Sequence, residues 1–84
     1  MYEVIVEQSV LKFLKKIQIN YRNSITSHIA ELSDNPRPFG CKKLSDSENK
    51  YRIRVGVYRV LYTIKDEILT VKVVKVGHRS SVYK

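Results

Sequence analysis

The second half of the sequence carries the side chains best able to do chemistry, and most of them are arginines. Arg52, Arg54 and Arg59 lie in two adjacent segments that alternate cationic with apolar residues, and Arg79 follows later. A guanidinium group has planar donors that bind phosphoryl oxygens bidentately, and it stabilises negative charge that develops on a phosphate. These residues therefore point to an anionic ligand.

The distribution of charge supports the same interpretation. The chain has 16 Lys and Arg against 8 Asp and Glu, which gives a formal net charge of +8. Residues 1–41 hold five basic and four acidic residues, a net of +1, whereas residues 42–84 hold eleven and four, a net of +7. We expect one positive side that attracts nucleic acid, an acidic protein or an anionic membrane surface. The alternative is a generally basic surface without a particular ligand.

Length and composition exclude several classes of protein. The 84 residues fit a single small domain, 1–84, without room for a large enclosed pocket. Cys41 is the single cysteine, and His28 and His78 are far apart in sequence, so we expect no internal disulfide, no metal site and no cofactor. Neither a signal peptide nor an apolar run of about 20 residues is visible, so we expect a cytoplasmic protein that does not enter a membrane.

Periodicity predicts an α+β fold with the element order β-α-α-β-β-β. An alternating, β-branched segment over 2–7 predicts the first strand, and an amphipathic helix follows from about Val10. A second helix is expected from about Arg22 to Ser33, after a break near 18–21, and a turn-rich linker covers 34–49. The period then becomes two, which predicts three strands in a small antiparallel meander with the helical hairpin packed on one face.

The turn between the first two strands of the meander would set the position of the arginines. A two-residue loop at 56–57, with glycine first, suits a type II′ hairpin. Arg54 then pairs with Arg59 and Arg52 pairs with Leu61. Directly paired residues share a sheet face, so the arginines are expected together on the face away from the helices.

The second turn decides which residues of the last strand join this face. With a loop at 66–67, Leu61 pairs with Lys72 and Arg59 pairs with Val74. The opposite, apolar face belongs under the helices, and it is expected to collect Tyr51, Ile53, Val55, Val60, Tyr62, Ile64, Leu69, Val71 and Val73.

Two arginines that lie directly opposite each other on one sheet face repel. No Asp or Glu lies in either strand to neutralise Arg54 and Arg59. We interpret the pair as part of a face that holds an anionic ligand. The alternative is that the long side chains splay into water, where salt screens the repulsion. The last strand should bring His78 and Arg79 to the same end of the sheet.

Segments of this half resemble a known family. They are Tyr51-Arg52-Ile53-Arg54-Val55-Gly56, then Tyr58-Arg59-Val60-Leu61-Tyr62, then Val76-Gly77-His78-Arg79, and finally Val82-Tyr83. Together they are similar to the signature of RelE/ParE-superfamily toxins. The N-terminal strand, the helical hairpin and the linker with Leu44 follow the same layout, so the resemblance covers essentially the whole chain.

The resemblance implies a RelE-like fold and the toxin of a type II toxin–antitoxin pair. RelE-like members enter the ribosomal A site and cleave mRNA, whereas ParE-like members act on DNA gyrase and generally lack the full cationic set. This chain keeps a cation at each of four family positions and an aromatic at Tyr83. The resemblance therefore favours a metal-independent, ribosome-dependent mRNA endoribonuclease that inhibits translation. Its implied partners are a cognate antitoxin, the ribosome and mRNA.

The resemblance also implies roles for individual residues. Arg52 matches a proposed general base, and Arg79 matches the proposed general acid. Arg54 and Arg59 match positions that hold the phosphate and the transition state. Tyr83 matches an aromatic that contacts the substrate, either by stacking on a base or by packing the C-terminus.

The first two cationic positions depart from the family, where lysine is frequent and this chain has Arg52 and Arg54. Arginine stays protonated at neutral pH and is a poor base, so we interpret Arg52 as an electrostatic group acting on the 2′-hydroxyl. Histidine titrates near neutral pH, so His78 either transfers a proton or only contacts phosphate. Both roles are consistent with the sequence.

Lysines outside the arginine set are candidate RNA contacts. Lys42 and Lys43 in the linker and Lys72 in the last strand are predicted to contact RNA phosphates. Two other functions remain consistent with the sequence. One is a ParE-like gyrase inhibitor without nuclease activity, and the other is a catalytically degenerate toxin that acts only in its antitoxin complex.

Overall fold

The computed structural model describes residues 1–44 and 49–80, and the bounds of all helices and strands refer to that part of the chain. The elements are β1 (Glu3–Val6), α1 (Gln8–Lys16), α2 (Ile19–Glu31), β2 (Lys42–Lys43), β3 (Lys50–Val55), β4 (Tyr58–Lys65), a 3₁₀ turn (Asp66–Ile68) and β5 (Thr70–His78). The strands form one sheet in the order β1-β5-β4-β3-β2, with β1 parallel to β5 and the other pairs antiparallel. The predicted α+β class and the predicted order of elements are confirmed, with β2 as an addition.

β2 is a strand that the sequence did not indicate. Lys42 pairs with Arg52, and Lys43 pairs with the residue before Arg52. Two lysines in a turn-rich linker show no apolar alternation, so pairing with the edge of β3 is what makes this segment extended. The pairing puts Lys42 on the sheet face that carries Arg52, Arg54 and Arg59, which is called the arginine face below.

The two helices cover the opposite, inner face of the sheet. α1 buries Val10 and Leu14, and α2 buries Ile25 and Ile29, as their helical spacing predicts. The core between the helices and the sheet consists of Val10, Leu14, Ile25, Ile29, Leu32, Ile53, Val55, Val60, Tyr62, Ile64, Val71, Val73 and Val76. In the described part of the chain, no helix is both long and apolar enough to cross a membrane.

Arg22 joins the end of α1 to the start of α2. Its Nε donates to the carbonyl oxygen of Leu14 at 2.8 Å, and its Nη2 donates to those of Lys15 at 3.3 Å and Ile17 at 3.2 Å. The last carbonyl groups of a helix have no partner within the helix, so this cation caps α1. Arg22 lies in the first turn of α2, which begins at Ile19 rather than at the predicted Arg22.

The second hairpin turn is longer than predicted. It spans 66–69, and Leu69 adopts the left-handed conformation with a φ of 48°. Tyr62 therefore pairs with Val73 instead of the predicted Val71. A shift of two residues keeps each strand side chain on its predicted face. Leu69 is the exception, because the turn takes it out of the sheet and leaves it exposed rather than in the predicted core.

A β-bulge at Val74 changes the register of β5 a second time. Leu61 pairs with Lys75 and Arg59 pairs with Gly77, so the partners predicted for these two residues are wrong. A bulge adds one residue to one strand, and it reverses the in–out alternation beyond that point. Lys75 therefore lies on the arginine face, and the residue after it is buried. The residues around the bulge, 70–76, include no glycine or proline to mark it.

A charged cluster fastens the linker to the end of the sheet opposite the first hairpin turn. Arg37 donates from Nη1 and Nη2 to the two carboxylate oxygens of Asp66 at 3.2 and 2.8 Å, and the Tyr2 hydroxyl donates to the same carboxylate at 2.5 Å. The Arg37 guanidinium lies over the Tyr51 ring, 5.2 Å from its centroid. Hydrogen bonds from Arg37 and Tyr2 lower the pKa of Asp66 to about 2.

The same linker is held by a buried tyrosine. Tyr62 is fully buried, and its hydroxyl donates to the carbonyl oxygen of Pro36 at 2.8 Å. Burial raises the pKa of Tyr62, so its hydroxyl stays protonated and keeps donating this hydrogen bond. The linker therefore packs on β3 and β4 through two adjacent residues, Pro36 and Arg37.

We expect Arg22→Ala to lower the free energy of unfolding by about 1–2 kcal/mol, because three carbonyl groups lose a charged donor. Arg22→Lys should restore part of this loss, since an ammonium group keeps the charge but lacks the planar fork. Urea denaturation measures the change, with Lys12→Ala on the exposed side of α1 as the control. An Arg22→Ala protein as stable as the parent would show that the capping bonds do not stabilise α1.

We expect Asp66→Asn to unfold at a lower urea concentration than the parent at neutral pH. The folded-state pKa of Asp66 is about 2, below its ordinary value of 3.8, so its stabilising effect is present above about pH 4 and is lost as the pH falls toward 2. The difference between the two proteins should shrink across that interval. Glu67→Gln, in the same turn, is the control. A difference that stays constant down to about pH 2 would contradict the assignment.

Candidate nucleic-acid interface

The first hairpin has the predicted register. Gly56 has a φ of +61° and the residue after it keeps a negative φ, which is the pattern of a type II′ turn. Arg54 pairs directly with Arg59, and Arg52 pairs with Leu61. The arginine face is therefore formed as the sequence predicts, on the side of the sheet away from the helices.

The three hairpin arginines differ in their exposure. Arg52 is buried, with 8% of its surface exposed, Arg59 is half-buried, and Arg54 is exposed. The Nε atoms of Arg52 and Arg59 are out of contact with water. Burial removes part of the hydration of a guanidinium group, and a like charge on the facing strand adds repulsion. An arrangement that opposes stability in this way is expected where the charges serve a ligand.

The end of β5 brings a fourth arginine to the first hairpin turn. The backbone N–H of Arg79 donates to the carbonyl oxygen of Val57 at 2.8 Å, and Gly77 pairs with Arg59. Glycine has no side chain, so β5 leaves space beside Arg59 at this position. Arg79 is exposed and lies at the same end of the sheet as Arg54 and Arg59, as the sequence predicted.

His78 lies at the same end of the sheet but faces the helices. It pairs with Tyr58, whose ring packs edge-on against Phe13 and Tyr21, and the rings of His78 and Tyr58 are 5.9 Å apart. The Nδ1 atom of His78 accepts the backbone N–H of Ser80 at 3.2 Å. A neutral ring in this arrangement carries its proton on Nε2. The bulge in β5 is the reason that His78 and the arginines lie on different faces.

The lysines predicted to contact RNA divide between the two faces. Lys42 shares the arginine face through its pairing with Arg52, whereas Lys43 follows it in β2 and lies on the inner side. Lys72 lies on the arginine face and forms an ion pair with Glu7 at 3.3 Å. The charge of Lys72 is therefore partly neutralised within the protein. Tyr83, the predicted aromatic contact, lies outside the described residues.

One further cation on the arginine face is not apparent from the sequence. Lys75 follows Val71 and Val73 at intervals of two, so strict alternation places it in the core. The bulge at Val74 moves it to the arginine face, opposite Leu61. Within residues 1–44 and 49–80, this face carries the following cations: Lys42, Lys50, Arg52, Arg54, Arg59, Lys65, Lys72 and Lys75.

Cation-rich surfaces of this kind bind the phosphate backbone of nucleic acids, and clustered guanidinium groups can hold one phosphate from several sides. Across the described ranges, no three His, Cys, Asp or Glu side chains come together as metal ligands would. The cations of this face can stabilise negative charge that develops on a bound phosphate.

Comparison with known proteins identifies the family. The sequence profile of the family described as ParE toxin of type II toxin-antitoxin system, parDE, matches residues 4–83. The chain belongs to the RelE/ParE superfamily of type II toxins. A relative from Methanocaldococcus jannaschii that carries the name toxin RelE1 is 32% identical to this toxin over an alignment of 88 positions. The alignment covers 99% of this chain and 96% of the relative.

Solved structures of RelE toxins have the same fold as this superfamily member. A chain of the archaeal RelE–RelB complex from Pyrococcus horikoshii OT3 gives a TM-score of 0.85 at 26% identity, covering 96% of this chain and 98% of that one. The isolated E. coli RelE toxin gives a TM-score of 0.80 at 29% identity, covering 99% and 92%. The predicted family and the RelE-like fold are confirmed, and the protein is a type II toxin of the RelE family.

We expect Arg54→Gln to leave this toxin as stable as the parent, or more stable by up to about 0.5 kcal/mol, because one of two opposed guanidinium groups is removed. Any gain should shrink as salt is added. Thermal denaturation at low and high ionic strength measures both effects. Arg37→Gln is the matched control, since it removes a guanidinium that is paired with a carboxylate and should lower stability. A clear loss of stability in Arg54→Gln would show that Arg54 helps to hold the fold.

Proposed function

We propose that this toxin is a metal-independent, ribosome-dependent mRNA endoribonuclease that inhibits translation. The observation that carries the proposal is the arginine face. Arg52, Arg54 and Arg59 share one hairpin, Arg79 lies at its turn, and neither hairpin strand contains an acidic residue. Such a surface attracts a polyanion and can surround a phosphate with guanidinium groups. The likeness to RelE structures supports the same function.

RNA cleavage without a metal requires three events at one phosphate. The 2′-hydroxyl must lose a proton, the dianionic phosphorane must be stabilised, and the departing 5′-oxygen must be protonated. We assign Arg54 and Arg59 to the phosphoryl oxygens, where two opposed guanidinium groups can act on one charge. The 2′-hydroxyl proton passes to a water molecule, and the 2′-oxygen bonds to phosphorus as the bond from phosphorus to the 5′-oxygen breaks. The 5′-oxygen then takes up a proton from water. The products are a 2′,3′-cyclic phosphate and a 5′-hydroxyl.

The other two arginines are assigned to the attacking 2′-oxygen and to the departing 5′-oxygen. Arg52 is the most buried of the set, so its charge is less screened by water. It lowers the energy of the 2′-oxyanion without accepting a proton, because arginine stays protonated at neutral pH. Arg79, exposed beside the hairpin turn, stabilises the departing 5′-oxygen. Tyr83 is assigned to stacking on a base of the substrate.

His78 is assigned to a phosphate contact through Nε2 rather than to proton transfer. Its position on the inner side of the sheet separates it from Arg54 and Arg59. His78→Ala should therefore lower the cleavage rate by less than about tenfold. A fall of about 100-fold or more, with loss of the acidic limb of the pH profile, would assign proton transfer to His78 instead.

The proposed partners are a cognate antitoxin, the ribosome and mRNA, which places the activity in the cytoplasm. The Pyrococcus relative is an archaeal RelE in complex with RelB. We propose that an antitoxin of this kind neutralises the toxin by covering the arginine face or the helical hairpin. An acidic segment would complement the arginine face, because its cations greatly outnumber its acids.

A second function has one specific observation in its favour, since the matching family profile is that of ParE toxins. A ParE-like gyrase inhibitor would bind its target without nuclease chemistry. The complete set of four arginines favours the nuclease, because a purely binding protein does not require cations arranged around one phosphate. A catalytically degenerate toxin, active only in its antitoxin complex, is the remaining outcome.

Single-turnover cleavage of mRNA on programmed ribosomes tests the proposal. The parent should yield the cyclic phosphate and the 5′-hydroxyl, and a 2′-deoxynucleotide at the cut site should stop cleavage because the nucleophile is missing. Arg59→Ala should lower the rate by about 100-fold or more. Lys12→Ala, on α1, should cleave at the parental rate.

One result would contradict the proposed mechanism, and two would contradict the nuclease function. Cleavage of the deoxy-substituted message would exclude attack by the 2′-hydroxyl. Inhibition of purified gyrase without RNA cleavage would support the ParE-like function. Inactivity in both assays would support the degenerate toxin. Circular dichroism of Arg59→Ala separates a catalytic loss from an unfolded variant.

A further inference from the structure

We propose that Lys75 is an additional RNA-binding residue of this toxin and contacts a backbone phosphate other than the one that is cleaved. The inference rests on the proposed nuclease function. It extends the site from the first hairpin across the sheet to β5, and it gives the bulge at Val74 a role in substrate binding.

The first argument is positional. Lys42, Arg52, Leu61 and Lys75 are direct partners in successive strand pairs, so they form one row across β2, β3, β4 and β5. Neighbouring strands are about 4.8 Å apart, which puts Lys75 about 10 Å from Arg52 along this row. Leu61 lies between them and is half-buried. Arg52 and Lys75, the cations on either side of Leu61, are therefore separated by an apolar surface that can support a ribose or a base.

The second argument concerns charge. In the part of the chain that the structure describes, ion pairs join Arg37 to Asp66 and Lys72 to Glu7, and none involves Lys75. Lys75 is exposed, so its charge is available to a ligand. Lys72 shares the strand and the face, but Glu7 already competes for its ammonium group. Lys75 is therefore the better phosphate contact of the two.

The third argument concerns access. β1 pairs with β5 only as far as Val73. The last hydrogen bond along this pairing runs from the Glu7 N–H to the carbonyl oxygen of Val73. Beyond Val73, β5 is an edge of the sheet, and β1 does not flank Lys75. An RNA strand that crosses the arginine face along the row can leave over this edge. The bulge is what turns Lys75 toward that path, because strict alternation would direct it to the helices.

The test measures cleavage by the full chain on programmed ribosomes at a series of toxin concentrations. Lys75→Ala should raise the toxin concentration for half-maximal rate by about fivefold to tenfold, and the rate at saturation should stay within about twofold of the parent. The dependence of that concentration on salt should weaken, because about 0.7 counterions per phosphate contact are no longer released. Lys72→Ala should change it by less, and Lys12→Ala should not change it.

A second arm distinguishes the message from ribosomal RNA as the source of the phosphate. Single 2′-deoxy methylphosphonate linkages, which are uncharged, are placed one at a time in the mRNA on either side of the cut. If Lys75 contacts the message, one uncharged linkage should raise the half-maximal concentration of the parent but not that of Lys75→Ala. This difference between the two proteins shows that the residue and the phosphate are coupled. If the contact is to ribosomal RNA, the Lys75→Ala effect persists with every linkage.

The results separate failure of the proposed role of Lys75 from failure of the proposed nuclease function. Parental cleavage with an unchanged half-maximal concentration for Lys75→Ala would overturn the role of Lys75 and leave the nuclease standing. A lower rate at saturation without a change in that concentration would also overturn it. No cleavage by the parent would overturn the proposed function and this inference with it. Circular dichroism confirms that the variants are folded.

Discussion

Guanidinium groups on facing strands repel each other, and this toxin holds Arg54 directly opposite Arg59 with a two-residue turn at Gly56. The Cβ atoms of such a pair lie about 4.5–5.5 Å apart, so the repulsion acts at close range. The strands stay paired because their other face is apolar. Val60 and Tyr62 are fully buried beneath the helices, and burial of this kind outweighs the repulsion of partly hydrated charges. The inner face of the hairpin thus stabilises an arrangement that the outer face opposes.

Charged side chains are arranged differently at the two ends of the sheet. Around the second turn, Arg37 and Asp66 form a bidentate pair to which Tyr2 and Tyr51 add contacts, so the charges at this end neutralise each other. Around the first turn, the arginines are brought together without an acidic residue in either strand. The Arg37–Asp66 pair positions the linker, and the linker contains β2, whose Lys42 lies on the arginine face. A stabilising ion pair at one end thereby helps to form the arginine face at the other.

The fold alone does not distinguish the activities of this superfamily, because RelE-like and ParE-like toxins share it. In the function proposed for this toxin, the distinction lies in the side chains of the outer sheet face. Two register changes set that face: the longer second turn moves strand partners by two residues, and the bulge at Val74 moves them by one more. The second change exchanges the residues on the arginine face, bringing in Lys75 and directing His78 toward the helices. A single inserted residue in β5 therefore decides which charged and titratable side chains lie on the arginine face.

The sequence by itself determined the α+β class, the helical faces and the register of the first hairpin, because each depends on neighbours within a few residues. Gly56 permits the positive φ of the turn, and the alternation around it places Arg52, Arg54 and Arg59 on one face. Tertiary structure decided β2, the left-handed Leu69, the Arg37–Asp66 pair and the position of Lys75. These depend on partners far apart in sequence, such as Arg37 and Asp66, which are separated by 29 positions, or on a bulge that has no glycine or proline among the residues around it, 70–76. Local periodicity carries no information about such pairings, because their energies arise only when distant strands meet.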